Sequence, residues 1–162
     1  MRHSTLSGLF TSQTVLVPLP GSAPSANRTW AAERLAFALH AIGLGSSIWT
    51  GIHRRFPVRK SATAFNTDRP TVRQHYESFA ITAYSITAML PCAPARFVLV
   101  DDVITKGRTI LAAAARLHEA FPNADIRAFA LIRTMGFLAK IDDPLDPCYG
   151  QVRWSVQDAR RE

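Results

Sequence analysis

The segment Phe97–Ile110 constrains the fold of this chain more than any other. Four apolar residues, Phe97–Val100, lead into two adjacent carboxylates, Asp101 and Asp102. A short polar turn around Gly107 follows, and an apolar-periodic helix begins directly after it. This order predicts a buried strand, a turn of backbone N–H groups and a helix N-terminus. Such an arrangement can bind a sugar phosphate, because carboxylates suit the ribose hydroxyls and amides suit the phosphate.

Predicted strands alternate with predicted helices along the rest of the chain. Runs of apolar and β-branched residues predict strands at 14–17, 47–52, 96–100, 126–132 and 152–156. The strand at 126–132 is predicted to be buried. Apolar residues at helical spacing predict helices at 30–42, 72–78 and 110–121, with Ser25 or Asn27 capping the first. The alternation is typical of an α/β domain with a mainly parallel sheet, and the whole chain, residues 1–162, suffices for one such domain.

Two further loops are expected at the sheet edge that carries Asp101, where ligands of parallel sheets bind. The first covers residues 18–27 and is rich in proline, glycine and serine. The second is the basic segment His53–His75, which holds six arginine and lysine residues and one acid, Asp68. Long loops inside compact domains are often functional. The alternative for this segment is a solvated basic loop with no ligand.

Residues Val98–Thr109 resemble the phosphoribosyl-pyrophosphate (PRPP) binding motif of type I phosphoribosyltransferases. They follow its order of strand, acid pair, two apolar residues and Thr-x-Gly-x-Thr. Ala32–Ala36 and Gln74 are similar to residues of the ComF-like branch of this family, which resembles the amidophosphoribosyltransferases. That branch often has an N-terminal zinc ribbon, which we do not expect here because no cysteines lie near the N-terminus. The resemblance implies a three-layer α/β/α fold with a reduced hood formed by residues 1–13 and 134–162.

The resemblance also implies a role for each residue of the motif. Asp101 and Asp102 would bind the ribose 2- and 3-hydroxyls and count among the catalytic residues. The 5-phosphate would bind to the turn that contains Thr105, Lys106, Gly107, Arg108 and Thr109. Pyrophosphate would bind to Pro20, Gly21 and Ser22 in the first loop. Magnesium would enter with PRPP and be held mainly by oxygen atoms of that ligand. Asp101 and Asp102 are the side chains that could also contact the ion.

Three residues of the turn depart from the usual family pattern. Purine-salvage members carry an acid where Thr105 stands, so hypoxanthine–guanine salvage is disfavoured. Lys106 and Arg108 replace small residues, and either they contact the phosphate or they point to solvent.

The basic segment corresponds to the family's flexible loop, which closes over the active site. Arg55 and Lys60 are the predicted catalytic cations, and Arg59 and Arg73 are predicted to contact pyrophosphate. Positive charge there would stabilise the leaving group, and closure would exclude water. Arg28 either reaches the same site or lies on the surface.

Charge and composition allow two classes of partner. The formal charge is +7, and 16 of the 19 basic residues are arginine. Such a chain binds either a small polyanion or nucleic acid, although the widely spaced aromatics Phe56, Phe65 and Tyr76 give little sign of base stacking. Cys92 and Cys148 are expected to be buried or idle thiols. No apolar run approaches the roughly 18 residues that span a bilayer, so we expect a cytoplasmic protein without a membrane partner.

These observations predict a phosphoribosyltransferase. A nitrogen nucleophile would attack the anomeric carbon of magnesium-bound PRPP and displace pyrophosphate. The alternative is a non-catalytic regulator that senses PRPP or a nucleotide and binds nucleic acid through its basic surface. The sequence does not identify the small-molecule acceptor. The short hood leaves its pocket either open or completed by the second subunit of a homodimer.

Overall fold

A computed structural model describes residues 8–24, 29–59, 69–82, 96–134, 147–155 and 158–162. In chain order the elements are β1 (Thr14–Pro18), α1 (Ala31–Ala41), β2 (Ser47–Ile48), β3 (Ile52–Arg54), α2 (Val72–Ser78), β4 (Phe79–Ile81), β5 (Arg96–Ile104), α3 (Arg108–Ala120), β6 (Asp125–Arg133), β7 (Val152–Ser155) and β8 (Asp158–Arg161). Four of these strands form a parallel sheet in the order β2-β1-β5-β6. The α/β class and the parallel sheet are therefore confirmed.

Apolar side chains of the central strands alternate between the two faces of this sheet. Leu16 and Val98 pack with residues of α1 on one face. Val17 and Leu99 pack with residues of α3 and of α2 on the other. Because successive strand residues point to opposite faces, a strand of continuous apolar residues buries both sides. Helices therefore flank the sheet on both faces.

The connections make β1 and β5 the point at which the strand order reverses. From β1 the chain passes through α1 to β2 on one side, and from β5 it passes through α3 to β6 on the other. The loops after β1 and β5 therefore leave the same edge of the sheet in opposite directions. Ligands of open parallel sheets bind in the crevice that this divergence creates.

Two small two-stranded antiparallel sheets lie outside the main sheet. β3 pairs with β4, so Arg54 lies opposite Phe79. β7 pairs with β8, so Val152 lies opposite Arg161. Helix α2 leads directly into β4 and is closed at its start by a capping box between Thr71 and Gln74.

Several sequence predictions need correction. Residues 47–52 form parts of two strands in different sheets. β2 pairs with β1, and the Trp49 amide still donates to Leu16 O at 2.8 Å; the chain then leaves the main sheet, and β3 pairs with β4. β5 continues to Ile104 because β6 pairs with it that far. The predicted burial of 126–132 is wrong, since β6 is an edge strand in the described sheet and Leu131 is 62% exposed.

The predicted helix cap and the final strand also differ from the structure. Helix α1 begins at Ala31 with Trp30 as its N-cap, and the predicted caps Ser25 and Asn27 lie outside the described residues. The final predicted strand ends at Ser155, and β8 follows it in a hairpin that the sequence pattern did not indicate. The helices at 72–78 and 110–121 are confirmed within one or two residues. After α2 the structure describes the chain to residue 82, and β4 occupies Phe79–Ile81.

Two general expectations can be compared with the described residues. None of the helices in the described ranges has the length and apolar character needed to cross a bilayer. Cys148 is exposed and carries no disulfide, so it is not a buried thiol, whereas Cys92 lies outside the described residues.

Candidate functional site

The acid pair lies in the last four residues of β5, at the strand-order reversal. β1 pairs with β5 only as far as Val100, whereas β6 continues beside Asp101 and Val103. Asp101 and Asp102 therefore extend past the end of β1, beside the loop that leaves it. The Asp102 amide donates to Asp101 Oδ1 at 3.0 Å, and the Val103 amide donates to Asp102 Oδ1 at 3.0 Å. Both carboxylates are thus held close to the backbone.

Asp101 is a carboxyl group whose ionisation is strongly disturbed. Burial, together with hydrogen bonding and like charge from Asp102, raises the pKa of Asp101 to about 7 from 3.8. The positive charge of Arg54 opposes this rise. A carboxyl group with such a pKa is half-protonated near neutral pH, which is typical of functional sites rather than of solvated surface acids.

Arg54 lies across the site from Asp101 and is buried, with 5% exposure. Its guanidinium donates to Gly21 O at 2.9 Å, to the Ser78 hydroxyl and to His75 Nδ1 at 3.0 Å. The same group stacks 4.1 Å from the centre of the Phe79 ring. Burial lowers the pKa of Arg54 to about 10, so it stays charged at neutral pH.

His75 completes this buried cluster. Because arginine can only donate, His75 Nδ1 accepts from Arg54 and the proton of the neutral ring is assigned to Nε2. Nε2 is buried and has no hydrogen-bond partner among the described residues. Burial and the charges of Arg54 and Arg108 lower the pKa of His75 to about 4. The ring is therefore neutral at pH 7.

Four hydrogen bonds attach the loop after β1 to neighbouring parts of the chain. The Leu19 amide donates to Val100 O at 2.9 Å, and Leu19 O accepts from the indole of Trp30. Gly21 O accepts from Arg54, and Ser22 O accepts from the Val58 amide at 2.7 Å. The predicted pyrophosphate residues Gly21 and Ser22 thus lie between β5 and the start of the basic segment.

The turn between β5 and α3 has the tight geometry expected from the motif. Gly107 is the N-cap of α3 and has a φ of 82°, in the left-handed region that favours glycine. A Cβ at this position would come within 2.7 Å of Val152 Cγ1. The C-terminal hairpin β7–β8 therefore packs directly on the turn. Thr105 is partly buried, as is Thr109 in the first turn of α3.

Lys106 and Arg108 have an internal anionic partner. Asp158, at the start of β8, accepts from Lys106 Nζ at 3.0 Å and forms a two-pronged pair with the Arg108 guanidinium. These cations hold the pKa of the Asp158 carboxyl well below its usual range. Arg108 also donates to the carbonyls of Arg69 and Pro70, at 3.3 and 3.2 Å. Both side chains thus pair with a carboxylate of the chain itself, and the Lys106 side chain remains 60% exposed. Contact with a phosphate stays a prediction.

Two clefts flank this region. One has a volume of about 360 Å³ and lies between Thr105 and Lys106 on one side and Ser155 and Arg160 of the hairpin on the other. The other, of about 510 Å³, lies between the start of the basic segment and α2, and Arg59 is among its lining residues. Neither cleft is lined by Asp101 or Asp102. The predicted ribose site and the predicted 5-phosphate site are close together in the sequence, but neither cleft is lined by residues of both sites.

The predicted cations of the basic segment have different positions. Arg55 is exposed and follows β3, with its amide donating to Ser78 O at 2.8 Å. Arg59 is exposed in the larger cleft. Arg73 lies on the outer face of α2 and pairs with Glu77 at 2.8 Å, so its described partner is a surface acid. Lys60 and Arg28 lie outside the described residues.

Sequence reasoning missed two residues of this site, Arg54 and Asp158. Arginine is rarely buried, so the pattern in the basic segment did not separate Arg54 from its exposed neighbour Arg55. The available signal was the alternation in β3, where Ile52 and Arg54 share the buried face and His53 is exposed. Asp158 gave no signal, because it is distant in sequence from the turn that it contacts.

Comparison with protein-family models, with curated proteins and with solved structures finds no match to this chain.

Proposed function

We propose that this chain is a PRPP-dependent phosphoribosyltransferase. One observation supports the proposal above the others: an acid pair that extends past β1, followed by a left-handed glycine and a helix N-terminus, at the point where the strand order reverses. Carboxylates in that position suit ribose hydroxyls, and a glycine turn at a helix start suits a phosphate.

In this proposal each described group has a limited task. Asp101 and Asp102 accept hydrogen bonds from the ribose 2- and 3-hydroxyls and keep the sugar in one orientation. The turn from Thr105 to Thr109 binds the 5-phosphate through backbone amides and hydroxyls. The loop with Gly21 and Ser22 binds the pyrophosphate, and the positive charges nearby stabilise it as it leaves. Catalysis then rests on positioning and electrostatics rather than on a covalent intermediate.

Magnesium fits this site as a partner of the substrate. The described residues contain no group of three or more histidine, cysteine and acidic side chains that could hold a metal ion. Two adjacent carboxylates, Asp101 and Asp102, are nonetheless a donor set that suits magnesium when phosphates of the substrate supply the other oxygens. The ion would neutralise charge on the departing pyrophosphate.

Pyrophosphate release from PRPP tests the proposal. The acceptor panel is ammonia, primary amines and free nucleobases, with magnesium present. We expect release with at least one acceptor, and loss of at least about 100-fold in kcat/KM for Asp102→Asn, because that substitution removes a charged hydrogen-bond acceptor for the ribose. Asp125→Asn is the control, since Asp125 pairs with Arg96 and Arg127 at the other end of the sheet. Absence of turnover together with absence of PRPP binding by calorimetry refutes the proposal.

A second candidate is a non-catalytic sensor of PRPP or a nucleotide that binds nucleic acid. The observation in its favour is the pairing of Lys106 and Arg108 with Asp158, which offsets one of the two positive charges of the turn. Exposed arginines on β6, β7 and β8 could then contact nucleic-acid phosphates: Arg127, Arg153 and Arg160. Affinity for RNA or DNA that falls steeply with salt, without any turnover, favours this candidate.

A further inference from the structure

Arg54 carries a positive charge that the described residues do not neutralise by an ion pair. Its hydrogen-bond partners are a carbonyl, a hydroxyl and a neutral imidazole, from Gly21, Ser78 and His75. Asp101 acts on it through space but is not among these partners. Burial of a guanidinium costs several kcal/mol unless charge or hydrogen bonds offset it. A fold that needed only packing at this position would bury an apolar side chain at lower cost.

The position of Arg54 explains what the buried charge can do. It is the last residue of β3 and lies at the start of the basic segment. Its Nε–H donates to Gly21 O, so it directly holds the loop that follows β1. Four residues later the Val58 amide donates to Ser22 O, which fixes the next residue of the same loop. The buried Arg54 side chain thus links β3 to α2 and to the loop after β1, and its positive charge also acts on Asp101.

We propose that Arg54 is the positioning residue of this site: its buried guanidinium holds the Gly21–Ser22 loop in place and directs positive charge at the pyrophosphate group that the loop receives. This inference rests on the proposed function for the identity of the anion. It assigns the role to Arg54 and leaves Arg55, its exposed neighbour, as a surface cation. Three of the five N–H groups of the Arg54 guanidinium donate to Gly21, Ser78 and His75, which fixes the side chain within the protein.

Two substitutions separate the charge from the shape of the guanidinium. Arg54→Lys keeps the charge but loses the fork that reaches Gly21, Ser78 and His75 together. Arg54→Gln loses both. Arg116→Gln is the matched control, because Arg116 also stacks on an aromatic ring, Tyr76 at 3.9 Å, and also donates to a backbone carbonyl. It lies on α3, and its described partners are Tyr76 and Glu119 rather than residues of the loop after β1.

The first readout is the binding of inorganic pyrophosphate with magnesium, measured by calorimetry. We expect Arg54→Gln to weaken binding at least tenfold, Arg54→Lys to weaken it less, and Arg116→Gln to stay within twofold of wild type. With PRPP, Arg54→Lys should lower kcat more than it raises KM, because the charge remains while the loop loses its fixed geometry. Pyrophosphate affinity within twofold of wild type in a folded Arg54→Lys and a folded Arg54→Gln overturns the proposal.

The second readout does not depend on turnover. Amide NMR shifts of Gly21 and Ser22 report the loop directly, and we expect both to move in Arg54→Lys and neither in Arg116→Gln. If Arg54→Gln does not fold, Arg54→Lys decides the matter, and unchanged Gly21 and Ser22 amides in that variant overturn the proposal. If wild type binds neither PRPP nor pyrophosphate, the proposed function fails and the pyrophosphate part of this inference fails with it. The amide shifts still decide whether Arg54 positions the loop.

Discussion

At the scale of single residues, the site is built from buried charges whose ionisation differs from that of solvated groups. Asp101 is partly protonated at neutral pH, His75 is neutral, and Arg54 remains charged. In each case burial is the largest cause. Desolvation of this kind makes a group responsive to a charged ligand, because a ligand that supplies or removes charge changes its protonation.

Asp101→Asn tests the ionisation of the acid pair. The pKa of Asp101 rises from 3.8 in the unfolded chain to about 7 in the fold. Between these values the folded state binds more protons, so this group makes the free energy of unfolding fall as pH rises from about 4 to 7. Above about pH 8 the cost is complete, and a difference of about 3 pKa units corresponds to roughly 4 kcal/mol. We therefore expect Asp101→Asn to stabilise the chain at pH 8 relative to wild type, and to do so much less at pH 4.

Urea unfolding of both proteins at pH 4, 6 and 8 measures this difference. A gain from Asp101→Asn that is the same at all three pH values contradicts the interpretation. So does a gain that is larger at pH 4. Asp125→Asn serves as the control, because its surface ion pairs lower the pKa of Asp125 and give the opposite dependence on pH.

Gly107→Ala tests the geometry of the turn. Its left-handed φ and the Val152 methyl group 2.7 Å from an added Cβ both oppose a side chain. We expect a loss of about 1–3 kcal/mol in the free energy of unfolding. Gly43→Ala is the matched control, since Gly43 has a φ of 83° with nothing within 4 Å of an added Cβ. Equal losses in the two variants, measured by chemical denaturation, would show that Val152 does not press on the turn.

At the scale of secondary-structure elements, the C-terminal hairpin is the feature that most modifies the expected site. Val152 packs on Gly107, and Asp158 pairs with Lys106 and Arg108. Arg161 donates to Ile104 O at 3.3 Å and to Thr134 O at 2.7 Å, which holds the ends of β5 and β6. The hairpin thus places a carboxylate beside the two cations of the turn.

Asp158→Asn is expected to act on binding and stability in opposite directions. Loss of the charged hydrogen bonds should destabilise the fold by about 1–2 kcal/mol. Removal of a negative charge beside Lys106 and Arg108 should strengthen binding of inorganic phosphate by roughly three- to tenfold. Calorimetry with phosphate and thermal unfolding measure the two effects. Phosphate affinity that is unchanged or weaker in the variant means that Asp158 does not compete for the turn.

Elements were predictable from the sequence where local pattern decides the outcome. Helix α3 followed from apolar residues at helical spacing, and α2 was found at the predicted residues. The burial of β6 was not predictable, because an apolar run looks the same at the centre and at the edge of a sheet. The division of 47–52 depended on which strand each half pairs with, and pairing partners are distant in sequence.

At the scale of the whole molecule, topology brings together what the sequence keeps apart. The reversal of strand order between β1 and β5 places the Gly21 loop beside the acid pair, and the small β3–β4 sheet adds Arg54 from a third segment. The motif from Val98 to Thr109 was visible in the sequence because its residues are consecutive. Arg54 and Asp158 were not, because their importance arises only from contacts made across more than 30 residues of chain.

The central claim, that the β5–α3 turn and its acid pair bind a phosphorylated ribose, is tested most directly by amide NMR during a titration with PRPP and magnesium. We predict saturable shifts at Asp101, Asp102 and the turn from Thr105 to Thr109, with the same residues unresponsive in Asp102→Asn at matched ligand concentration. Saturable shifts confined to other residues, or none at millimolar PRPP, would contradict the account.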